Sequence, residues 1–207
     1  MLTKAVIDHL RAKIGAENVY HEQEDLLVYG YDATPEITGL PDVAVFPKDV
    51  EGLKAALLVC REEGLTVTPR GAATGLSGGS TPVAGGMVLG LTRMNRILEI
   101  DAENLTATAE AGVITVDLFN AAAAQGFFYP PDPGSQNVST LGGNVAENAG
   151  GLRGLKYGVT RNYVMALNGL LYDGTEFQTG GKCVKDVAGY SLRDLLVGSE
   201  GTLGIIT

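Results

Sequence analysis

Residues 43–79 read VAVFPKDVEGLKAALLVCREEGLTVTPRGAATGLSGG, and this stretch decides the fold class. Val43-Ala44-Val45-Phe46 is a short run of apolar side chains, two of them β-branched, the pattern of a strand buried on both faces. Asp49 can cap a helix that carries Val50, Leu53, Ala56, Leu57 and Cys60 on one side, and Gly64 can end it. Leu65-Thr66-Val67-Thr68 is then a second strand. A strand, a helical crossover and a strand imply parallel pairing with a right-handed connection. Pro69 to Gly79 follows at once as a glycine-rich loop, and Met87-Val88-Leu89 supplies a third strand.

Upstream, Val6, Ile7, Leu10 and Ile14 recur at helical spacing between a capping Thr3 and a closing Gly15. Residues 16–40 read as irregular, punctuated by Pro35, Gly39 and Pro41. Downstream the character changes. Ile97–Ile100 and Thr106–Ala109 suggest an antiparallel hairpin, and a helix follows from Thr115 to Gln125, closed by Gly126. Residues 166–172 and 175–179 flank Asp173-Gly174, which predicts a hairpin with a type I′ turn. The expected organisation is a helical lead-in over 1–38, a parallel α/β unit over 39–95 and an antiparallel α+β unit over 96–207. The chain closes on the apolar run Leu203-Gly204-Ile205-Ile206-Thr207, a strand with no turn behind it, so a fragment is expected.

The 207 residues are 45 % hydrophobic and 19 % charged, an ordinary globular balance. The 29 glycines are clustered and not periodic, which excludes a collagen-like chain. A net charge of −9 with no basic stripe argues against nucleic-acid binding. Cys60 and Cys183 have no CxxC spacing, so a thiolate metal site is not expected. Lys4, Asp8, His9, Arg11 and Lys13 interrupt any signal-peptide core, and no apolar run approaches the ~18 residues a membrane span needs. A cytoplasmic protein is the reading, with membrane association through a partner left open.

Three segments carry chemistry. Arg70 to Gly79 offers small residues whose successive N–H groups can turn inward as an anion nest, with phosphate or pyrophosphate as the natural guest. It lacks the Lys-Ser/Thr pair of a Walker A loop and the spacing and following helix of a dinucleotide fingerprint. Pro130-Pro131-Asp132-Pro133-Gly134 and then residues 139–151 pair rigid turns with glycines and amides, which suits a flat ring lying on backbone. Gly198-Ser199-Glu200-Gly201-Thr202-Leu203-Gly204-Ile205 is a small-residue turn entering a strand. Taken singly, these are equally a surface loop, a tightly packed small-residue helix and a polar turn.

Their order and spacing resemble the FAD-binding domain of the vanillyl-alcohol-oxidase-like (PCMH-type) flavoenzymes, over about residues 35–207. The likeness rests on GAATGLSGGSTP (71–82), STLGGNVAENAGG (139–151), LKYGVT (155–160) and KDVAGYSLRDLLVGSEGTLGIIT (185–207). Within that family the chain is most similar to the glycolate oxidase D-subunit and D-lactate dehydrogenase branch. The resemblance implies an α+β fold of two subdomains with FAD between them, the second mainly antiparallel, and a C-terminal cap domain that is absent from this sequence.

Carried over motif by motif, the resemblance puts the loop Arg70, Gly71, Ala72, Ala73, Thr74, Gly75, Ser77, Gly78 and Gly79 around the pyrophosphate. Pro131 and Asp132 would border the cofactor. Ser139, Thr140, Gly142, Gly143 and Asn144, with Glu147, Asn148, Gly150 and Gly151, would line the pyrophosphate and ring, and Tyr157-Gly158 would sit close by. Glu200, Gly201 and Ile205 would contact the adenosine part or neighbouring backbone. Thr74 stands where many relatives carry the histidine that bonds FAD covalently, so non-covalent FAD is expected.

The implied activity is oxidation of a small 2-hydroxy acid, glycolate or D-lactate type, by hydride transfer to flavin N5. Catalytic residues are not assigned, because the substrate and metal residues of this branch lie in the cap; no metal is expected here. His9 and His21 fit surface or structural roles, and Arg70, Arg153 and Lys156 are not assigned as substrate clamps. An iron–sulfur subunit and a second flavin-type subunit are the implied partners. The alternatives are a non-catalytic flavin-binding or electron-transfer subunit, an inactive fragment, or another enzyme on the same scaffold.

Overall fold

The computed structural model describes residues 2–207 and is a mixed α+β fold. Helix α1 (Lys4–Ile14) starts where Thr3 accepts from the Val6 N–H and ends at Gly15, with Val6, Ile7, Leu10 and Ile14 buried. Two short elements follow in the stretch expected to be irregular: strand β1 (Val19–Tyr20) and helix α2 (Gln23–Leu26). Strand β2 (Val43–Val45) leads to helix α3 (Val50–Glu63), where Asp49 accepts from the Gly52 N–H and Gly64 adopts φ 65°. Strand β3 (Val67–Arg70) begins two residues later than the sequence suggests. The reason is local. The Leu65 N–H returns to the Cys60 carbonyl at 2.8 Å across the left-handed Gly64, so Leu65 completes the helix C-cap.

Strand β4 (Met87–Gly90) lies between β2 and β3, parallel to both, and β1 pairs antiparallel with β2 to give the order β1-β2-β4-β3. Alternation along these strands makes two cores. Val43, Val45, Met87 and Leu89 pack with the buried faces of α1 and α3, while Ala44, Phe46 and Val88 pack with Leu26, Tyr20 and Tyr29. Both faces are covered, which is why β2 and β4 read as unbroken apolar runs.

Strands β5 (Ile97–Asp101) and β6 (Thr106–Ala109) form the expected antiparallel hairpin. Helix α4 (Thr115–Ala124) follows, then the short helices α5 (Leu141–Glu147) and α6 (Gly154–Tyr157). Strands β7 (Ala166–Leu170) and β8 (Glu176–Gly180) pair antiparallel, helix α7 (Leu192–Leu196) comes next, and β9 (Ile205–Ile206) pairs antiparallel with β7. The β7–β8 turn is not type I′. Gly174 alone has positive φ, at 84°; its N–H donates to the Leu171 carbonyl at 2.9 Å, and the Leu171 N–H donates to Thr175 O at 2.8 Å. That pattern is a longer loop with one left-handed glycine, further fixed by the Asp173 carboxylate accepting from the Thr175 N–H. Leu170 and Ile205 extend the first core, so the last sheet packs onto the first unit. Among the described residues no helix is long and apolar enough to cross a membrane.

Candidate functional site

The loop after β3 is shaped by two left-handed residues, Ala73 at φ 55° and Gly78 at φ 78°. A left-handed alanine is uncommon and persists only where its surroundings hold it. The loop lies against the start of α5, where Thr140 caps the helix by accepting from the Gly143 N–H at 3.2 Å. The approach is close enough that a Cβ on Gly71 would stand 2.4 Å from Thr140 Oγ1. The turn 198–204 docks on the other end of α5: Gly198 N–H donates to Val145 O at 3.0 Å and Glu200 N–H to Ala146 O at 2.9 Å. Glu200 and Gly201 both have positive φ, at 52° and 75°.

These three segments enclose one cleft of about 610 Å³, within the range of small-molecule sites. From the loop it is lined by Arg70, Gly71, Ala72, Ala73, Thr74, Gly75 and Gly79; from the middle segment by Ser139, Thr140, Gly142, Gly143, Asn144, Glu147 and Gly150; and from the last turn by Glu200, Gly201 and Ile205. Its floor and edges include residues that the sequence did not single out, among them Leu91, Ala111, Ser135 and Ile206. The one sequence sign of that floor is Gly112, whose Cβ would stand 2.3 Å from the Leu91 carbonyl oxygen.

Eight expected residues stand off the lining. Ser77 turns its hydroxyl to the Glu147 and Glu200 carboxylates, and Gly78 packs against Ile37. Pro131 is buried, and Asp132 accepts from the Arg153 N–H at 3.1 Å and pairs with its guanidinium at 3.5 Å. Gly151 lies against Asp132, where a Cβ would stand 1.8 Å from the backbone oxygen. Asn148 closes α5 at φ 50° and accepts from the Arg161 N–H at 2.9 Å. The Tyr157 ring packs edge-on to Phe128 at 5.6 Å, and Gly158 turns the chain at φ 83° against Asn162.

Arg70 lines the cleft, and its guanidinium is taken up by backbone carbonyls. It donates to Ser80 O at 3.1 Å, Val28 O at 3.3 Å and Tyr29 O at 3.5 Å, tying the base of the loop to the segment before β2. Behind the wall, Asn144 donates to Thr115 Oγ1 at 2.6 Å, and Thr115 is within 2.9 Å of Ser139 O and 3.0 Å of Ser139 Oγ. All three residues are at most 3 % exposed. Among the described residues that line this cleft the only side-chain cation, Arg70, is engaged by carbonyls, and the only acids are Glu147 and Glu200.

A model of the FAD-binding domain family matches residues 41–180. The chain belongs to this family of FAD-binding domains. It is 52 % identical over 207 residues to the glycolate oxidase subunit GlcD of Bacillus subtilis (strain 168), covering all of this chain and 44 % of that protein. A D-lactate dehydrogenase of Anaerostipes hadrus is 43 % identical over 198 residues, 95 % of this chain and 40 % of its own length. The solved structure of an alkyldihydroxyacetonephosphate synthase superposes with a TM-score of 0.85 at 22 % identity, covering 100 % of this chain and 38 % of that one. The chain thus spans less than half the length of the relatives it matches. The cofactor of this family is FAD, and the cleft fits it: Gly71, Gly75 and Gly79 let the loop come within Cβ contact of Thr140, Glu147 and Glu200, so the three segments wall one cleft with small residues.

Partial desolvation of its carboxyl, though the residue is exposed, pushes Glu147 above its usual range, and the neighbouring Glu200 adds to the effect, while the Ser77 hydroxyl opposes it. A raised carboxyl contributes stability that is complete below the unfolded-state pKa and is lost as pH rises through the folded-state value. Glu110 acts in the opposite sense, because its hydrogen bonds to Arg96 hold it low. The difference between wild type and Glu147→Gln isolates the first contribution. In urea denaturation of the flavin-free protein the variant is expected to lose less stability than wild type as pH rises above the ordinary glutamate range. Parallel stability–pH curves would show that Glu147 titrates normally.

Proposed function

We propose that this chain is the FAD-binding part of a flavin-dependent 2-hydroxy-acid dehydrogenase of the glycolate or D-lactate type. The observation that carries the reading is the convergence of residues 69–80, 139–150 and 198–206 on one cleft walled by small residues. The Ala73 turn and its glycine neighbours present main chain to the diphosphate, so its charge is met by N–H groups in place of a side-chain cation. Loop 70–79 holds the diphosphate, residues 139–150 support the ring, and Glu200, Gly201 and Ile205 border the adenosine end. Bound FAD supplies the acceptor for two electrons and a hydride from the hydroxy-acid carbon. The chain itself positions the cofactor and excludes water from one side of it. Among the described residues no His or Cys lines the cleft, which supports a cofactor held without a covalent bond.

The clamp for the substrate carboxylate and the base for its hydroxyl lie outside these 207 residues on this reading, since the cleft's single arginine is already engaged. The partners on this reading are an iron–sulfur subunit and a second flavin-type subunit, and the protein works in the cytoplasm. The apoprotein mixed with FAD and passed through a desalting column is expected to retain the visible flavin absorbance, and acid precipitation is expected to release all of it. Flavin eluting only in the later small-molecule fraction, apart from the protein, would defeat the binding assignment; flavin in the acid pellet would defeat the non-covalent one. Anaerobic bleaching of the full-length holoprotein by glycolate or D-lactate tests the substrate class, and no bleaching by either would overturn it.

A further inference from the structure

Ser77 stands between two carboxylates from separate segments. Its Oγ lies 3.1 Å from Glu147 Oε1, 3.4 Å from Glu147 Oε2 and 2.9 Å from Glu200 Oε2. A serine hydroxyl has one proton to donate, so it can serve only one of them. It can donate to either, and the carboxylate it does not serve keeps solvent as its partner, since Ser77, Glu147 and Glu200 are all exposed. A proton gained by Glu147 would let it donate to Ser77 while Ser77 donates to Glu200. This chain ties the loop to α5 and to the last turn, the three walls of the cleft.

In the flavin-free protein the compensation comes from solvent, because Glu147 and Glu200 are both exposed. The groups facing Glu147 are Ser77 from the loop, Glu200 from the last turn and, at longer range, Asp32 from the segment before β2. No lysine, arginine or histidine among the described residues pairs with Glu147, and the Arg70 guanidinium is held by three backbone carbonyls. A cofactor diphosphate entering this cleft brings further negative charge beside Glu147 and Glu200. Like charges in one site favour the protonated acid.

We propose that Glu147 is a cofactor-positioning residue that works in its protonated form, so that binding of the FAD diphosphate takes up a proton onto Glu147. The inference rests on the dinucleotide reading of the cleft. Its consequence is reciprocal: as pH rises and the proton becomes costly, FAD is held less tightly. The proton comes from solvent and ends on a Glu147 oxygen; no bond of the cofactor changes.

The experiment is calorimetric titration of the flavin-free protein with FAD, at several pH values and in two buffers of different ionisation enthalpy. Wild type is expected to take up as much as about one proton per FAD, with affinity falling by up to about tenfold per pH unit where the uptake is complete. Glu147→Gln keeps the shape and supplies an amide donor to Ser77, so its uptake is expected to vanish and its affinity to become flat with pH. FAD binding in wild type with no proton uptake would overturn the proposal and leave the dinucleotide reading intact. Undiminished uptake in Glu147→Gln would also overturn it, placing the proton elsewhere. Wild type that does not bind FAD at all would overturn the dinucleotide reading itself.

Discussion

Gly142→Val is expected to lower the folding stability by about 1–3 kcal/mol and to abolish retention of FAD on a desalting column. Gly142 is the second residue of α5, and a Cβ there would lie 2.6 Å from Ala111 Cβ and 3.0 Å from the Ala111 carbonyl oxygen. Neither atom belongs to a flexible side chain that could swing aside. The first turn of α5 is also stitched to this strip, with Leu141 N–H donating to Val113 O and Gly142 N–H to Ala111 O, both at 2.8 Å. A valine must therefore either push α5 off residues 111–113, losing those bonds, or deform the floor of the cleft. Glycine inside a helix costs up to about 1 kcal/mol relative to alanine, so a contact of this closeness gives its presence a physical reason. Since α5 carries Asn144 and Glu147 into the cleft, the loss of FAD binding should exceed what the unfolded fraction explains. Gly181→Val is the matched control, because a Cβ at Gly181 meets nothing within 4 Å. Equal denaturation midpoints for the two variants would mean that α5 does not rest on Ala111.

The parts of this fold that were legible are those whose cause is local. Helix α3 announces itself through Asp49, Gly64 and the spacing of Leu53, Ala56, Leu57 and Cys60, and all of these behave as their chemistry dictates. Helix α1 does so through Thr3 and Gly15. What was missed depends on distant partners. Strand β1 has two residues and exists because Val19 and Tyr20 pair with Val45 and Ala44, a relation that no window around residue 19 contains. The β7–β8 turn was misread because Asp-Gly also suits a loop in which only the glycine is left-handed and the aspartate grips the next N–H. The same division holds at the cleft. Glycines at 71, 75, 79, 142 and 143 mark backbone that must come close to something, and they line it. Leu91 and Ala111 look like any core residue in sequence, and only the fold makes them a floor. Ser77 and Asn148 sit inside the right motifs, but their side chains serve neighbouring chain: one bridges Glu147 and Glu200, the other caps the Arg161 N–H.

Thr115→Val is expected to cost about 1–3 kcal/mol of stability and to weaken FAD binding by about tenfold, although Thr115 lies behind the cleft and does not line it. The substitution keeps the side-chain shape, so no cavity complicates the result. It removes the hydroxyl that accepts from Asn144 at 2.6 Å and that reaches Ser139 O at 2.9 Å. With Asn144 only 3 % exposed, water cannot replace the lost partner, and a buried amide donor is left unpaired. The amide can recover a partner only by turning, and any turn moves a group that lines the cleft. Stability and affinity should therefore fall together, which separates this case from a substitution that merely empties volume. The decisive measurement is a double-mutant cycle with Asn144→Ala, read by urea denaturation. Once Asn144 is alanine, Thr115→Val strands no amide, so its cost should shrink, giving a coupling between the two sites of about 0.5–3 kcal/mol. Additive costs would mean that the Asn144–Thr115 bond does not hold the cleft wall.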